Sequence, residues 1–346
     1  MQGVEGSVAL VSGGAGFVGS NLVRQLLAAG ARRVHVVDNL LSAERVNVPD
    51  HPSLKFTEGS IAEDGVLNPL KDEYDYIFHL ATYHGNQSSI HDPLADHANN
   101  TLTTLKLYER VKAFKALKKV VYSSAGCSVA EKTFDAAKAT EETDIVALTQ
   151  DSPYSMSKVF GEFYSVYYHK QHGLPAVRAR FQNVYGPGEI LGAGKWRGTP
   201  ATVWRNVTPT FIYKALAGES LPLENDGVAT RDFIYVEDVA RGLIACALRG
   251  RPGQAYNIAS GRETSILDLA TKINALTGNP APFLNLPKRA WDNSGKRFGS
   301  TEKSRAELGF EAGTGIDDGL KLTVEWTTRN LALIQKTIRK HDAHMR

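Results

Sequence analysis

The sequence predicts an α/β fold: a doubly wound parallel sheet covered by helices on both faces, with a smaller C-terminal substrate-binding lobe. Three observations carry this expectation. Short apolar runs alternate with stretches of helical spacing through most of the chain. A glycine-rich turn, Gly13-x-x-Gly16-x-x-Gly19, separates the first run from the first helical stretch. The chain has 346 residues, which against about 150 per domain gives one large domain or two closely joined ones.

The elements follow in order. Val8 to Val11 is a short apolar strand, and after the glycine turn SNLVRQLLAAG reads as a helix closed by Gly30. RVHVVDNL is a second strand ending in Asp38, and LKFTEG, DYIFHLA, KKVVYSSAG and PAVRARFQNVYG continue the series with helical segments between most of them. Strands separated by helices pair in parallel through right-handed crossovers. After Tyr185 the pattern loosens in GPGEILGAGKWRGTPATVW, which reads as a mobile or substrate-covering loop. RDFIYVEDVARGLIACAL then returns to the sheet. The expected division is therefore 1–186 with 230–263 for the nucleotide lobe and 187–229 with 264–330 for the second lobe, followed by a frayed tail over 331–346.

Composition removes several function classes. Lys+Arg 40 against Asp+Glu 37 leaves +3 with no single-sign block, which argues against a nucleic-acid binder. Cys127 and Cys246 are the two cysteines, too few for a disulfide framework and without metal-ligand spacing, so a reducing cytoplasm is expected and no metal. Neither a secretory leader nor an uninterrupted apolar run of about 18 residues is present, so no membrane association is expected.

The motifs point to chemistry. A glycine turn between a strand and a helix lets backbone N–H groups approach a pyrophosphate at the helix N-terminus, which makes the fold Rossmann-type. Asp38, about 20 residues on at the end of the next strand, is suited to accept from an adenosine ribose and to repel a 2′-phosphate, favouring NAD over NADP; Arg45 nearby tempers that preference. Tyr154 and Lys158 in YSMSK stand at i and i+4 of a predicted helix and so share a face. The ammonium favours the tyrosinate, which can take a proton from a sugar hydroxyl as hydride leaves the same carbon.

With GGAGFVG and YSMSK stand HLA at 79–81, Asn100 in NTLTT, RFQNVYGP at 180–187, NVTP at 206–209 and RDFIYVEDVA at 231–240. In this order the sequence resembles the extended short-chain dehydrogenase/reductase family, in particular its nucleotide-sugar epimerases and dehydratases, over roughly residues 7 to 325. The resemblance implies cofactor contacts at Gly13, Gly16, Phe17, Val18, Asp38, Asn39, Ser60, Ile61, Leu80, Ala81, Asn100, Tyr154 and Lys158. It places Asn183, Asn206, Val207, Arg231 and Arg297 near a substrate's diphosphate or base, roles that suit amide donors and guanidinium forks. His84, Asn86 and Gln87, in the loop TYHGNQSS, are candidates for sugar hydroxyls, and Trp196 and Trp204 for stacking.

The departures bear on the reaction. The family's Ser or Thr that bonds the reacting sugar hydroxyl falls on Ala125, so Ser124 is the candidate replacement through a one-residue shift. The family's 4,6-dehydratases follow that position with Asp-Glu, whereas this chain has Gly126-Cys127, which leaves dehydration without its acid and base. Cys127 falls where related GDP-mannose 3,5-epimerases have a proton-exchanging cysteine, and Lys195 follows Tyr185-Gly186-Pro187 at a longer spacing than their paired lysine. Ser60 stands where the family often has Asp against adenine, and Thr103-Thr104 where it has Gly-Thr.

The expected function is an NAD-dependent epimerase of a nucleotide-diphospho-sugar acting through a 4-keto intermediate with inversion at C4. The alternatives are a C3/C5 epimerase using Cys127 and Lys195, a 4,6-dehydratase or 4-dehydrogenase, and a non-catalytic nucleotide sensor, which Ala125 favours. A homodimer is expected by family likeness, through YERVKAFKAL and the helix from Tyr154.

Overall fold

The computed structural model describes residues 3–126, 129, 133–288 and 295–345. Its centre is a seven-stranded parallel sheet: β1 (Val8–Ser12), β2 (Arg33–Asp38), β3 (Leu54–Glu58), β4 (Tyr76–His79), β5 (Lys119–Ala125), β6 (Ala176–Phe181) and β7 (Ala255–Ile258), in the order β7-β6-β5-β4-β1-β2-β3. The strand order reverses beside β1, so the carboxyl ends of β1 and β4 open a crevice where a nucleotide can lie. Strands rich in Val, Ile and Tyr are buried on both faces, as parallel strands covered by helices must be.

Two cores lie on opposite faces of the sheet. One packs α1 (Phe17–Ala28) and a helix spanning Val236–Arg249 through Leu22, Leu26, Val239 and Leu243. The other packs Leu10, Ile77 and Val120 against Leu107, Tyr108 and Tyr168. Tyr108 belongs to α2 (Leu102–Val111) and Tyr168 to α3 (Pro153–His172). The start and stop of α3 are local: Ser152 caps its N-terminus by accepting from Ser155 N at 3.2 Å, Pro153 presets its first turn, and Gly173 ends it at φ 69°.

The second lobe has its own core of Phe211, Ile212, Leu269, Ile273 and Leu320. Two stretches depart from the expected division. Leu308 and Phe310 sit in the first core, because the helix Glu302–Leu308 packs on β7 and on the helix Val236–Arg249. The tail is not frayed: a helix over Leu331–Arg339 buries Ile334 against Ile190, Leu191 and Ala193. Thr337 Oγ1 donates to Leu191 O at 2.7 Å, and His341 Nε2 pairs with Gly192 O at 2.8 Å. The loop after Pro187 is thereby packed down over the sheet's carboxyl edge. No helix among the described residues is long and apolar enough to cross a membrane.

Candidate active site

A cleft of about 730 Å³ runs from the glycine turn to the second lobe, a volume usual for small-molecule sites (~300–1,000 Å³). Its first half is a mould for a dinucleotide. Gly13 lies at φ +77°, and a Cβ there would stand 2.6 Å from Ala81 N, so the turn presses directly on the end of β4. No side chain caps α1 at Gly16, and Gly16, Phe17 and Val18 all line the cleft, leaving the first helical amides for an anion. Asp38 accepts from Ala15 N at 3.0 Å and Leu40 N at 2.9 Å. Burial raises its pKa and these backbone donors, with Gly16, oppose the rise. Asn39, Ser60, Ile61, Leu80 and Ala81 complete the wall. Uncapped amides, a glycine cradle and an acceptor carboxylate fit NAD.

Asn100 stands behind that wall rather than in it. Its Oδ1 accepts from Thr82 Oγ1 at 2.9 Å and Tyr83 N at 2.6 Å, and its Nδ2 donates to Asp96 Oδ1 at 2.7 Å and Ser157 Oγ at 3.2 Å. It therefore braces the loop after β4 against α3. His79 is similarly internal, bonded to Ser12 Oγ at 2.7 Å and Thr104 Oγ1 at 3.0 Å, and burial pushes its pKa down to about 3, with Lys158 adding to the shift. Thr104 thus serves packing beneath the cleft.

Tyr154 and Lys158 face the cleft from one side of α3. Ser89 Oγ accepts from Tyr154 N at 3.1 Å, and Asn86 Oδ1 accepts from the capping Ser152 hydroxyl at 3.1 Å, so the short helix Asn86–His91 after β4 fixes the start of α3. Lys158 Nζ donates to Ser123 O at 2.9 Å and lies 5.7 Å from the Tyr154 ring centre. The ammonium is thus held close enough to lower the cost of a phenolate.

Two expectations need correction. Ser124 reaches the cleft edge, but its hydroxyl donates to Glu162 Oε1 at 2.5 Å. Burial alone would raise the Glu162 pKa, yet the bidentate Arg180 (2.8 Å at each oxygen), Arg178 and Ser124 hold it below the usual carboxylate range. The hydroxyl thus completes a buried ion pair and does not substitute for the one missing at Ala125. Lys195 does not enter the cleft at all: its backbone N bonds Leu41 O at 2.9 Å and its side chain is exposed. The loop is turned this way because Gly194 N is fixed to Glu44 Oε1 at 2.9 Å while Arg205 reaches Ser42 O at 2.6 Å. Cys127 lies outside the described residues.

The far half of the cleft gathers His84, Gln87, Asn183, Asn206, Val207, Arg231 and Arg297. Asp232 organises the cationic end, accepting from Ser260 N at 2.8 Å and from Gly299 N at 3.2 Å, which draws the segment after Arg297 toward Arg231. Trp204 also lines the cleft, whereas Trp196 is taken up by stacking on His344 at 4.9 Å.

Glu189 was not legible as a site residue. It is buried in the cleft wall, accepts from the Asn206 amide through Oε1, and has no partner for Oε2 among the described residues. Burial pushes its carboxyl up to about 7, against the Asn206 bond and the Arg205 charge. The available signal was an acid isolated in the glycine-rich apolar stretch GPGEILGAG. His84 stands edge-on to Tyr154, ring centres 6.0 Å apart, and is held neutral with a pKa near 3 by burial and by Arg205 and Arg197.

A family model for the NAD dependent epimerase/dehydratase family matches residues 9–259. The solved structure of the Bordetella bronchiseptica enzyme WbmF in complex with NAD+ and UDP is 70% identical, with a TM-score of 0.90 over 99% of this chain and 98% of that one. A UDP-glucose 4-epimerase of Mycolicibacterium smegmatis is 31% identical over 92% of this chain and 97% of its own. A trifunctional UDP-glucose 4,6-dehydratase/UDP-4-keto-6-deoxy-D-glucose 3,5-epimerase/UDP-4-keto-L-rhamnose-reductase of Arabidopsis thaliana is 29% identical over 93% of this chain. The chain spans about half of that relative, 47% of its length.

Proposed function

Because the chain belongs to the NAD-dependent epimerase/dehydratase family, we propose that it inverts a nucleotide-diphospho-sugar, a UDP-sugar by likeness to its relatives, at C4 through a 4-keto intermediate. The observation that carries this reading is the Tyr154–Lys158 pair at the mouth of the dinucleotide groove, beside a β5 end that continues Ala125-Gly126-Cys127 with no acidic pair. The glycine turn, Asp38, Asn39, Ser60, Ile61, Leu80, Ala81 and Lys158 would hold NAD. When bound, NAD would supply the hydride acceptor for the sugar carbon and, in its reduced form, the hydride donor to the opposite face.

The chain's own residues supply the proton chemistry and the hold. Lys158 favours the phenolate of Tyr154, which removes the proton from the C4 hydroxyl and gives it back after inversion. Asn183, Arg231 and Arg297 grip the diphosphate end, leaving the sugar to turn between the two half-reactions. Dehydration would need a base for the C5 proton and an acid for the departing hydroxide, and the strand end carries neither. Exchange at C3 or C5 would need a second group opposite Cys127, and Lys195 faces solvent.

A homodimer is the assembly that α3 supports: it exposes Met156, Phe160, Phe163 and Tyr167 at 44–58% along one stripe. A stripe at helical spacing is covered by a second copy's equivalent helix, giving an isologous contact. A cytoplasmic setting is proposed from the cysteine usage. The reading is tested with Tyr154→Phe, which removes the proton acceptor while keeping the ring. Cofactor should stay bound while turnover falls by about 10²–10⁴. Unchanged turnover would overturn the assignment of the base, and a wild-type chain that binds UDP-sugars without converting any would favour a sensing role.

A further inference from the structure

The hydroxyl of a sugar undergoing oxidation is best held by a hydrogen bond beside the phenol, and at the strand position expected to supply it this chain has the methyl group of Ala125. Ala125 lines the cleft. Ser124 is committed to Glu162, and turning it toward the cleft would break a buried charge-assisted bond. Ser123 Oγ lies 3.5 Å from Lys158 Nζ, whose ammonium also holds the Ser123 carbonyl.

His84 is differently placed. It lines the cleft edge-on to Tyr154 at an interplanar angle of 79°. Its position is stiffened from behind. Its backbone oxygen accepts from Arg197 Nη1 at 3.0 Å. The Asn206 side chain, which opposes the fall in the imidazole's pKa, is itself anchored by donating its amide to the buried Glu189. A neutral imidazole carries one donor and one acceptor nitrogen, so a ring that lines the cleft can serve a ligand hydroxyl.

We propose that His84 makes the hydrogen bond to the reacting sugar hydroxyl that Ala125 cannot make, with Asn206 and Glu189 as positioning residues behind its ring. The inference rests on the preceding reading of Tyr154 as base. The hydroxyl proton passes to Tyr154 and the C–H electron pair leaves as already described, while the C–O bond becomes C=O. His84 forms and loses no covalent bond and holds the oxygen throughout. Being neutral at physiological pH, it adds no second positive charge beside Lys158.

The test uses the full, cofactor-loaded chain and the UDP-hexose that wild-type protein interconverts in a panel, with UDP as a binding control. His84→Ala should lower kcat about 100-fold, the usual loss for one donor at a reacting oxygen. KM and the Kd for UDP should stay within about threefold. His84→Gln, which keeps a hydrogen-bonding group, should retain more activity, and adding Ala125→Ser to His84→Ala should restore about tenfold of the loss. A kcat for His84→Ala equal to wild type would overturn the inference alone. So would an equal loss of UDP affinity, or no recovery with either Gln or the added serine, since each marks a structural role. A wild-type chain that converts no panel member would overturn the preceding reading, and this inference with it.

Discussion

Replacing Gly19 with alanine tests whether the glycine turn is a cofactor mould or an ordinary strand-to-helix turn. The added methyl would lie 2.2 Å from Gly13 O and 2.8 Å from Gly14 Cα, both backbone atoms that no rotamer change can clear. Non-bonded heavy atoms come to rest at about 3.5 Å, so the helix start and the turn must part by roughly 1 Å. Overpacking of this kind costs about 1–3 kcal/mol. The same displacement pulls the first-turn amides of α1 away from a pyrophosphate, and a 1 Å error in a positioned group lowers rate on the order of 100-fold. The assay is paired: chemical denaturation for stability, and the NAD content of purified protein by absorbance and mass spectrometry. Gly65→Ala is the control, because its added methyl meets nothing within 4 Å, and it should be neutral or stabilising by up to about 1 kcal/mol. A Gly19→Ala protein with wild-type stability and full cofactor content would refute the reasoning.

Two further outcomes concern the groups beneath the cleft. His79 titrates near 3 when folded against an ordinary 6.5, so the unfolded chain takes up a proton that the folded chain refuses as pH falls through 6.5. Its contribution is whole above pH 6.5 and is lost on acidification, at about 1.4 kcal/mol per pH unit. Between pH 7 and 5 wild type should therefore lose roughly 2 kcal/mol more unfolding free energy than His79→Asn, and parallel curves would contradict this. Arg180→Met strips the bidentate partner from the buried Glu162 and should cost about 3–5 kcal/mol in denaturant unfolding. Adding Glu162→Gln should recover part of it, and a single variant as stable as wild type would show that the ion pair does not hold Glu162 in place as the acceptor of the Ser124 hydroxyl.

What the sequence made legible was local in character. The glycine turn is set by spacing within seven residues, and the Tyr154–Lys158 pair by one helical repeat, so both could be read without knowing the fold. Ser124 could not, because the direction of its hydroxyl is decided by Glu162, 38 residues later, and by two arginines on the neighbouring strand. Lys195 failed for a similar reason: the course of its loop is set by Glu44 and Leu41 on one side and by Thr337 and His341 from the tail on the other. The tail itself carried a signal in LALIQKTI, whose apolar spacing is helical, but what it would cover was written elsewhere in the chain. Leu308 and Phe310 belong to the first core because the chain crosses back after building the second lobe, a topological fact with no local trace. Asn100 was expected to contact the cofactor, and only its bonds to Thr82, Tyr83 and Asp96 show that it stands one layer behind the cleft wall.

The proposed reaction is inversion at C4 by internal return of hydride. It is tested most directly by incubating the cofactor-loaded protein in heavy water with UDP-, GDP-, CDP- and dTDP-sugars and following each by NMR and mass spectrometry. A C4 epimer that carries no deuterium on carbon is expected. Deuterium at C3 or C5, or a product lighter by one water, would contradict it.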